Sequence, residues 1–376
     1  MDELTRCFLT WRVIRAGNRE VVEGLVAPAH RGPSPDLRTA LGRWHHAAYF
    51  TRPDRSELVL VRPVGLPRRE RWVLHLFLLV ATAACALGAG ATLAGTYHPP
   101  YGSGFFGILR AAAAFLPDFL RQPPGVLLSG WPFAASLLGI LLVHELGHYV
   151  RAARYSIDVS PPFLLPIPPT LSPIGSLGAF LKLRSPVVDR LQLLDVGAGG
   201  PLAGFVVTLG VLYWGYASST PFGEGLGYGR TFIELGGSPL ALGDSYLTAL
   251  FREHFFPGVA SLRLSLPAFA GWAGALITGL NLLPLSQLDG GHVSYSLLGR
   301  KQAPLGLVAI LGLLYLSQYW VAWLVWVALT LLVGGWRWTH PSVLHPERPV
   351  PWPRQLVGWV CVGVFVLTFV PVPFQP

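Results

Sequence analysis

The chain has 376 residues, of which 52% are hydrophobic and only 12% are charged, and its formal net charge is +9. Soluble domains usually carry about 25% charged residues, so most of this chain is expected to be surrounded by a lipid bilayer. Its basic residues stand at the ends of apolar runs and form no basic stripe. This distribution argues against nucleic-acid binding and is typical of the positive-inside pattern of membrane proteins.

Residues 1–70 differ from the rest because they are polar and rich in arginine. Short apolar stretches within them predict a small soluble region of mixed strand and helix. The basic segment from Arg62 to Arg71 places this region in the cytoplasm. We therefore expect a soluble cytoplasmic N-terminal region, 1–70, followed by a transmembrane domain, 71–376.

Apolar runs in the second part predict six or seven transmembrane helices, because a helix needs about 20 apolar residues to cross the hydrocarbon core. The stretch 303–333 is compatible with one tilted helix or with two short helices hinged near Ser317. We expect loops at 97–130 and 217–265, and the cell membrane as the location. The predicted fold is an all-α polytopic membrane protein with a small membrane-associated β-hairpin. The apolar runs cover residues 72–96, 131–153, 191–216, 266–288, 303–333 and 356–370.

The hairpin is predicted where proline-rich sequence leads into an alternating segment at 174–183. Exposed strand edges bind extended peptides, so this strand is a candidate for binding a substrate segment. The alternative is a re-entrant connector that only fills space in the helix bundle. The candidate substrate-binding residues are Gly178, Ala179, Phe180 and Leu181.

The second apolar run contains the pattern HExxH, formed by His144, Glu145 and His148. Positions four apart lie on the same side of a helix, so both imidazoles can bind one zinc ion. Glu145 lies beside them and can take a proton from a water that the zinc activates. Ionisable groups in a membrane segment are costly and are candidates for function by default. The pattern therefore predicts a zinc-dependent catalytic site.

A catalytic zinc usually has three protein ligands, so a third must come from another segment. Asp289 is the best candidate, because it ends the fourth apolar run on the same cytoplasmic side as the HExxH motif. His292 follows three residues later, and a histidine ligand is the alternative.

The HExxH motif, followed in a later run by Asn281 and by Leu288-Asp289-Gly290, resembles the site-2 protease family of intramembrane metalloproteases. The resemblance covers about residues 131–299. It implies that Asp289 is the third zinc ligand and that Asn281 helps to hold the substrate or the zinc region. Leu282 stands where many members of the family have a proline, so the helix break is expected at Pro284.

Together these patterns predict an intramembrane metalloprotease that binds one Zn²⁺ per chain and cleaves transmembrane proteins. Its active site is expected toward the cytoplasmic side. One alternative is a metal-binding membrane transporter or sensor, which would need polar residues along several spans. Another is a proteolytically inactive relative, against which the intact Glu145 argues.

Overall fold

The computed structural model describes residues 2–16, 19–64, 70–222 and 231–375. Residues 65–69, in the basic segment between Arg62 and Arg71, therefore lie outside the described residues. The described part is mostly helical and contains three β-sheets. The prediction of an all-α protein is therefore too narrow.

The N-terminal region combines strands and helices. Its antiparallel sheet has the strand order β1-β2-β4-β3. One face of the sheet packs on α2, which begins after Ser34, whose hydroxyl caps the helix by accepting the Leu37 amide. The other face packs on Val188 of the membrane domain. The elements are α1 (Asp2–Thr5), β1 (Phe8–Ala16), β2 (Arg19–Val26), α2 (Pro35–Gly42), β3 (Ala48–Phe50) and β4 (Glu57–Pro63).

The membrane domain is built around α6, α7 and α9, which pack against one another, and α3 packs on α6. Helices α10 and α13 pack on α7. The core between them is apolar and includes Phe133, Leu212 and Trp272. The helices are α3 (Trp72–Leu93), α4 (Gly104–Leu120), α5 (Pro124–Ser129), α6 (Trp131–Arg154), α7 (Arg190–Ala217), α8 (Tyr246–Phe255), α9 (Leu266–Asn281), α10 (Asp289–Leu298), α11 (Gln302–Leu316), α12 (Ala322–Val333) and α13 (Trp352–Thr368).

Two further sheets belong to the membrane domain. The predicted hairpin is a two-stranded antiparallel sheet in which Phe163 pairs with Phe180. A five-stranded sheet, ordered β11-β9-β8-β10-β7, lies near the start of α9 and the end of the chain. The strands are β5 (Phe163–Pro166), β6 (Ser176–Phe180), β7 (Thr220–Phe222), β8 (Thr231–Leu235), β9 (Ser238–Leu242), β10 (Ser261–Arg263) and β11 (Phe374–Gln375).

Four helical segments of the described part are long and apolar enough to cross a membrane. Two shorter apolar helices correspond to α12 and α13. The chain is thus a membrane protein by composition and helix length, and the count of six or seven spans stays a prediction. The four segments are Trp72–Leu93, Trp131–Arg154, Arg190–Ala217 and Asp289–Leu316.

Several predicted boundaries were wrong. The loop expected at 97–130 contains α4 and α5, and the loop expected at 217–265 contains α8 and four strands. The run 266–288 is not one helix, because α9 ends at Asn281 and α10 begins at Asp289. The stretch 303–333 forms two helices with a turn between Leu316 and Ala322, which decides between the two alternatives.

Candidate metal centre

Helix α6 carries two histidines on the side that faces α7 and α10. His144 and His148 are both buried, and their Nε2 atoms lie 3.1 Å apart. The spacing of four residues brings the two rings to this distance, as expected for one face of a helix.

Asp289 reaches the two imidazoles from the first position of α10. One carboxylate oxygen lies 3.2 Å from His144 Nε2, and the other lies 3.3 Å from His148 Nε2. The irregular segment 282–288 separates α9 from α10 and lets the new helix begin beside α6. Contrary to the prediction, Asp289 therefore begins a helix instead of ending one. Its position beside the histidines agrees with the predicted ligand set.

The donor set fits a zinc ion. His148 Nδ1 lies 2.8 Å from the Val196 carbonyl oxygen, which can only accept a hydrogen bond. In the neutral ring the proton is therefore on Nδ1, and the Nε2 lone pair points toward His144 and Asp289. Two donors that each lie about 2.1 Å from a tetrahedral zinc are about 3.4 Å apart. The observed separations of 3.1 to 3.3 Å are close to that value.

Glycines of α7 make room for the histidines. A Cβ atom at Gly200 would overlap the His148 imidazole. One at Gly204 would come within 3.0 Å of His144 Cβ. Larger side chains at these two positions would push α7 away from α6 and move the Val196 carbonyl from His148. The small-residue pattern of α7 is therefore part of the metal centre.

Glu145 follows His144 on the same helix and is 3% exposed. Its Oε2 atom has no hydrogen-bond partner among the described residues. Glu145 lines a cavity of about 150 Å³ together with the two histidines and Asp289. A carboxylate in this position is available to exchange protons with a group that enters the cavity.

The cavity also brings together most of the predicted substrate-binding residues. Ala179, Phe180 and Leu181 line one side, and Asn281 lines another. Gly178, at φ +103°, belongs to the same strand, and its Cβ position faces open space instead of the cavity lining. Stacking of Phe163 on Phe180, with ring centres 5.2 Å apart, holds the hairpin together.

His292 lines the same cavity but does not join the metal cluster found in the described residues. Its ring lies edge-to-face against His340, with centroids 4.8 Å apart, and its Cβ lies close to Gly197. Burial lowers the pKa of His340 to about 3, so this partner is neutral near pH 7. The arrangement favours Asp289 over His292 as the third donor.

Asp195, near the start of α7, is a carboxylate that could orient a histidine, but the structure gives it other partners. It accepts the Tyr155 hydroxyl at 2.6 Å and lies 3.3 Å from Arg354. Orientation of His148 comes from the neighbouring Val196 carbonyl. Every residue has a backbone carbonyl, so the sequence does not reveal which one contacts His148.

Residues 132–312 match the family model of peptidase family M50. Among curated proteins, the probable zinc metalloprotease EGY2, chloroplastic, of Arabidopsis thaliana is 32% identical over 248 residues, which are 59% of this chain and 41% of the relative. The probable zinc metalloprotease EGY1, chloroplastic, of Arabidopsis thaliana is 29% identical over 261 residues, which are 64% of this chain and 43% of the relative.

This chain thus spans less than half the length of these curated relatives. No solved structure matches it significantly. The matched segment contains both parts of the metal centre, the HExxH helix and Asp289. The expected resemblance is therefore confirmed over residues 132–312, which are similar to peptidase family M50, and this supports the site-2 protease family.

Proposed function

We propose that this chain is an intramembrane zinc metalloprotease that hydrolyses peptide bonds of transmembrane proteins within or beside the bilayer. One observation carries the proposal. Two imidazoles and a carboxylate converge inside a bundle of apolar helices, and Glu145 shares their cavity. The names of the relatives, probable zinc metalloproteases, support the same activity.

One Zn²⁺ per chain would be held by His144, His148 and Asp289. Three protein ligands leave a fourth coordination position open, as is usual in catalytic zinc sites. When bound, zinc supplies Lewis acidity, which makes water a better nucleophile and polarises a peptide carbonyl. The hydrogen bond from His148 Nδ1 to Val196 fixes the ring so that Nε2 remains the donor atom.

Glu145 acts as the general base and then as the general acid. Its carboxylate takes a proton from the attacking water while the water oxygen bonds to the peptide carbonyl carbon. As the C–N bond breaks, Glu145 returns that proton to the leaving amine. The unpartnered Oε2 atom in the cavity is consistent with this role, since no neighbouring donor among the described residues competes for it.

The substrate strand would bind along β6. Amides of an intact helix are satisfied internally, so the substrate must unwind before its peptide bond becomes accessible. In the two-stranded sheet, β6 pairs with β5 along one edge, and an extended segment could add to its other edge. Ala179, Phe180 and Leu181 line the cavity on this side, and Asn281 can donate an amide hydrogen bond from across it.

We further propose that this protein lies in the cell membrane and that its site opens toward the cytoplasm. The N-terminal sheet, the end of α6 and the start of α7 lie together on one side of the molecule. Arg151, Arg154 and Arg190 stand at these ends, which is the distribution that the positive-inside rule assigns to the cytoplasmic side. The curated relatives carry chloroplastic names, so their compartment differs from the one proposed for this chain.

The decisive experiment compares the wild-type protein with Glu145→Gln, using a reporter membrane protein and the zinc content of the purified enzyme. We expect cleavage to fall by about 10²–10⁴-fold, because the proton-transfer group is lost. Zinc content should stay near one per chain, because no ligand is changed. The exposed Glu253 on α8 provides the matched control, Glu253→Gln, which should cleave normally. Normal turnover by Glu145→Gln would reject the assigned mechanism.

A further inference from the structure

The N-terminal sheet contacts the membrane domain through a buried arginine. Arg19, the first residue of β2, is only 1% exposed. Its guanidinium donates to the Tyr155 carbonyl at 3.3 Å and also to the Pro186 carbonyl. Burial lowers the pKa of Arg19 to about 10, so the group is still charged at neutral pH. Its two terminal nitrogens each donate a hydrogen bond, which offsets part of the cost of burying the charge.

A second set of contacts reaches the same two helix ends. The Tyr49 hydroxyl donates to Asp189 at 3.1 Å, and its ring lies edge-to-face against Tyr155 at 5.4 Å. The Ala47 amide donates to the Ser156 hydroxyl at 3.2 Å. The sheet thus holds the end of α6 and the start of α7 at once.

Asp189 is the N-cap residue of α7, and its other oxygen accepts the Gln192 amide at 2.9 Å. Arg348, from the segment between α12 and α13, lies 3.9 Å from Asp189. It also lies 2.8 Å from Glu57 and 3.1 Å from Glu23 of the sheet. Arg348 is therefore buried between three carboxylates, two from the sheet and one at the start of α7, which fixes the position of the sheet against α7.

The sheet contacts α6 and α7 at the same distance along each helix from the metal centre. Tyr155, the residue that caps the end of α6, follows His148 by seven residues, and Asp189, the residue that caps the start of α7, precedes Val196 by seven residues. Seven residues correspond to about two helical turns, or roughly 10 Å. The sheet therefore joins α6 and α7 two turns from the hydrogen bond between His148 and Val196.

We propose that the N-terminal sheet is part of the active-site framework, and that Arg19 and Tyr49 are positioning residues. By joining the end of α6 to the start of α7, they hold the Val196 carbonyl against His148 and so keep the imidazole aligned for zinc. This inference rests on the proposed function. A sheet that was only an attached soluble domain would not require a buried arginine at its contact with these helix ends.

The test uses the Arg19→Gln and Tyr49→Phe variants of the whole 376-residue chain in detergent micelles. Three quantities are measured: kcat and KM for a reporter membrane substrate, the rate of zinc loss to a chelator, and the visible spectrum of the cobalt-substituted protein. For Arg19→Gln we expect a fall in kcat of about tenfold to a hundredfold with KM little changed, because misplacement by about 1 Å has effects of this size. Zinc loss should accelerate and the cobalt spectrum should shift.

Tyr49→Phe keeps the ring contact with Tyr155 and removes only the hydroxyl, so it should change the same quantities in the same direction by less. Arg19→Lys retains the charge and should recover part of the loss. The matched control is Arg43→Gln, which removes an exposed ion pair with Glu3 on the far side of the domain. It should behave as wild type.

The proposal is overturned if Tyr49→Phe and Arg19→Gln both keep the wild-type kcat, chelation rate and cobalt spectrum. If Arg19→Gln does not fold, Tyr49→Phe alone decides by the same criteria. An active, zinc-containing wild type with unaffected variants rejects only the positioning role. A wild-type protein that takes up no zinc rejects this inference together with the proposed function.

Discussion

Helices α7 and α11 are both apolar, yet they differ in what surrounds them. Gly199 of α7 lies so close to α6 that a Cβ there would meet the backbone of Gly147. On α11, by contrast, Gly312 faces open space, and Val308 is 65% exposed. Hydropathy alone does not separate these helices. Glycines packed against a neighbouring backbone thus mark the face of α7 that meets α6 at the metal centre, whereas Gly312 and Val308 lie on an exposed face of α11.

The largest effect is expected from breaking this packing at Gly200. Gly200→Ala would place a methyl group in the space that the His148 ring occupies, so we expect the variant to lose zinc and cleavage. Overpacking of this kind also costs about 1–3 kcal/mol of stability. Zinc content, cleavage and thermal unfolding of the purified variant measure these effects.

Matched controls come from both helices of the comparison. At Gly210 on α7 and at Gly312 on α11, an added methyl group would meet no atom of the described residues within 4 Å. An alanine at either position should therefore leave zinc and cleavage unchanged. If Gly200→Ala is as active as these controls, the close packing of α7 is not required for the metal centre.

The second prediction concerns the third metal donor, which α10 contributes where it packs on α7. Asp289→Ala should lose zinc and cleavage while the helices remain folded, because it removes one donor of the cluster. His292→Ala should retain most of both, because His292 packs on Gly197 and His340 outside the cluster. Metal analysis and a cleavage assay of both variants show which of the two residues binds the metal. An empty site in His292→Ala with zinc retained in Asp289→Ala would reverse the ligand assignment.

The smallest effect is expected on β6, which lines the cavity but holds no metal donor. Proline at Phe180 or at Leu181 removes a backbone donor that an added substrate strand would use. We expect slower cleavage with zinc retained. One proline can fall on a position whose amide does not face the substrate, so both variants are assayed. Unchanged cleavage by both would reject strand addition.

Several features were predictable from the sequence because each has a local signature. The HExxH spacing predicted that His144 and His148 share one face of a helix, and their rings do lie together. The run predicted at 131–153 agrees with α6 to within one residue. Long apolar helices are recognisable because each is a single continuous segment.

The features that escaped prediction depend on distant partners. Strand β10 pairs in parallel with β8 and antiparallel with β7, and these strands have only three to five residues each, so none has a strong pattern of its own. The start of α10 at Asp289 was also missed. There Gln302 donates to the Pro284 carbonyl from a later helix, a contact that local sequence does not reveal.

The separation of the donors along the chain bears on how the protein is made. His144 and Asp289 are 145 residues apart, and α7, most of the five-stranded sheet and α9 are synthesised between them. A nascent chain that has inserted α6 and α7 holds two imidazoles but no carboxylate from α10. The candidate metal centre therefore cannot be completed until α10 has entered the bundle. Late arrival of the third donor would delay the proposed proteolytic chemistry until α6, α7 and α9 have been made.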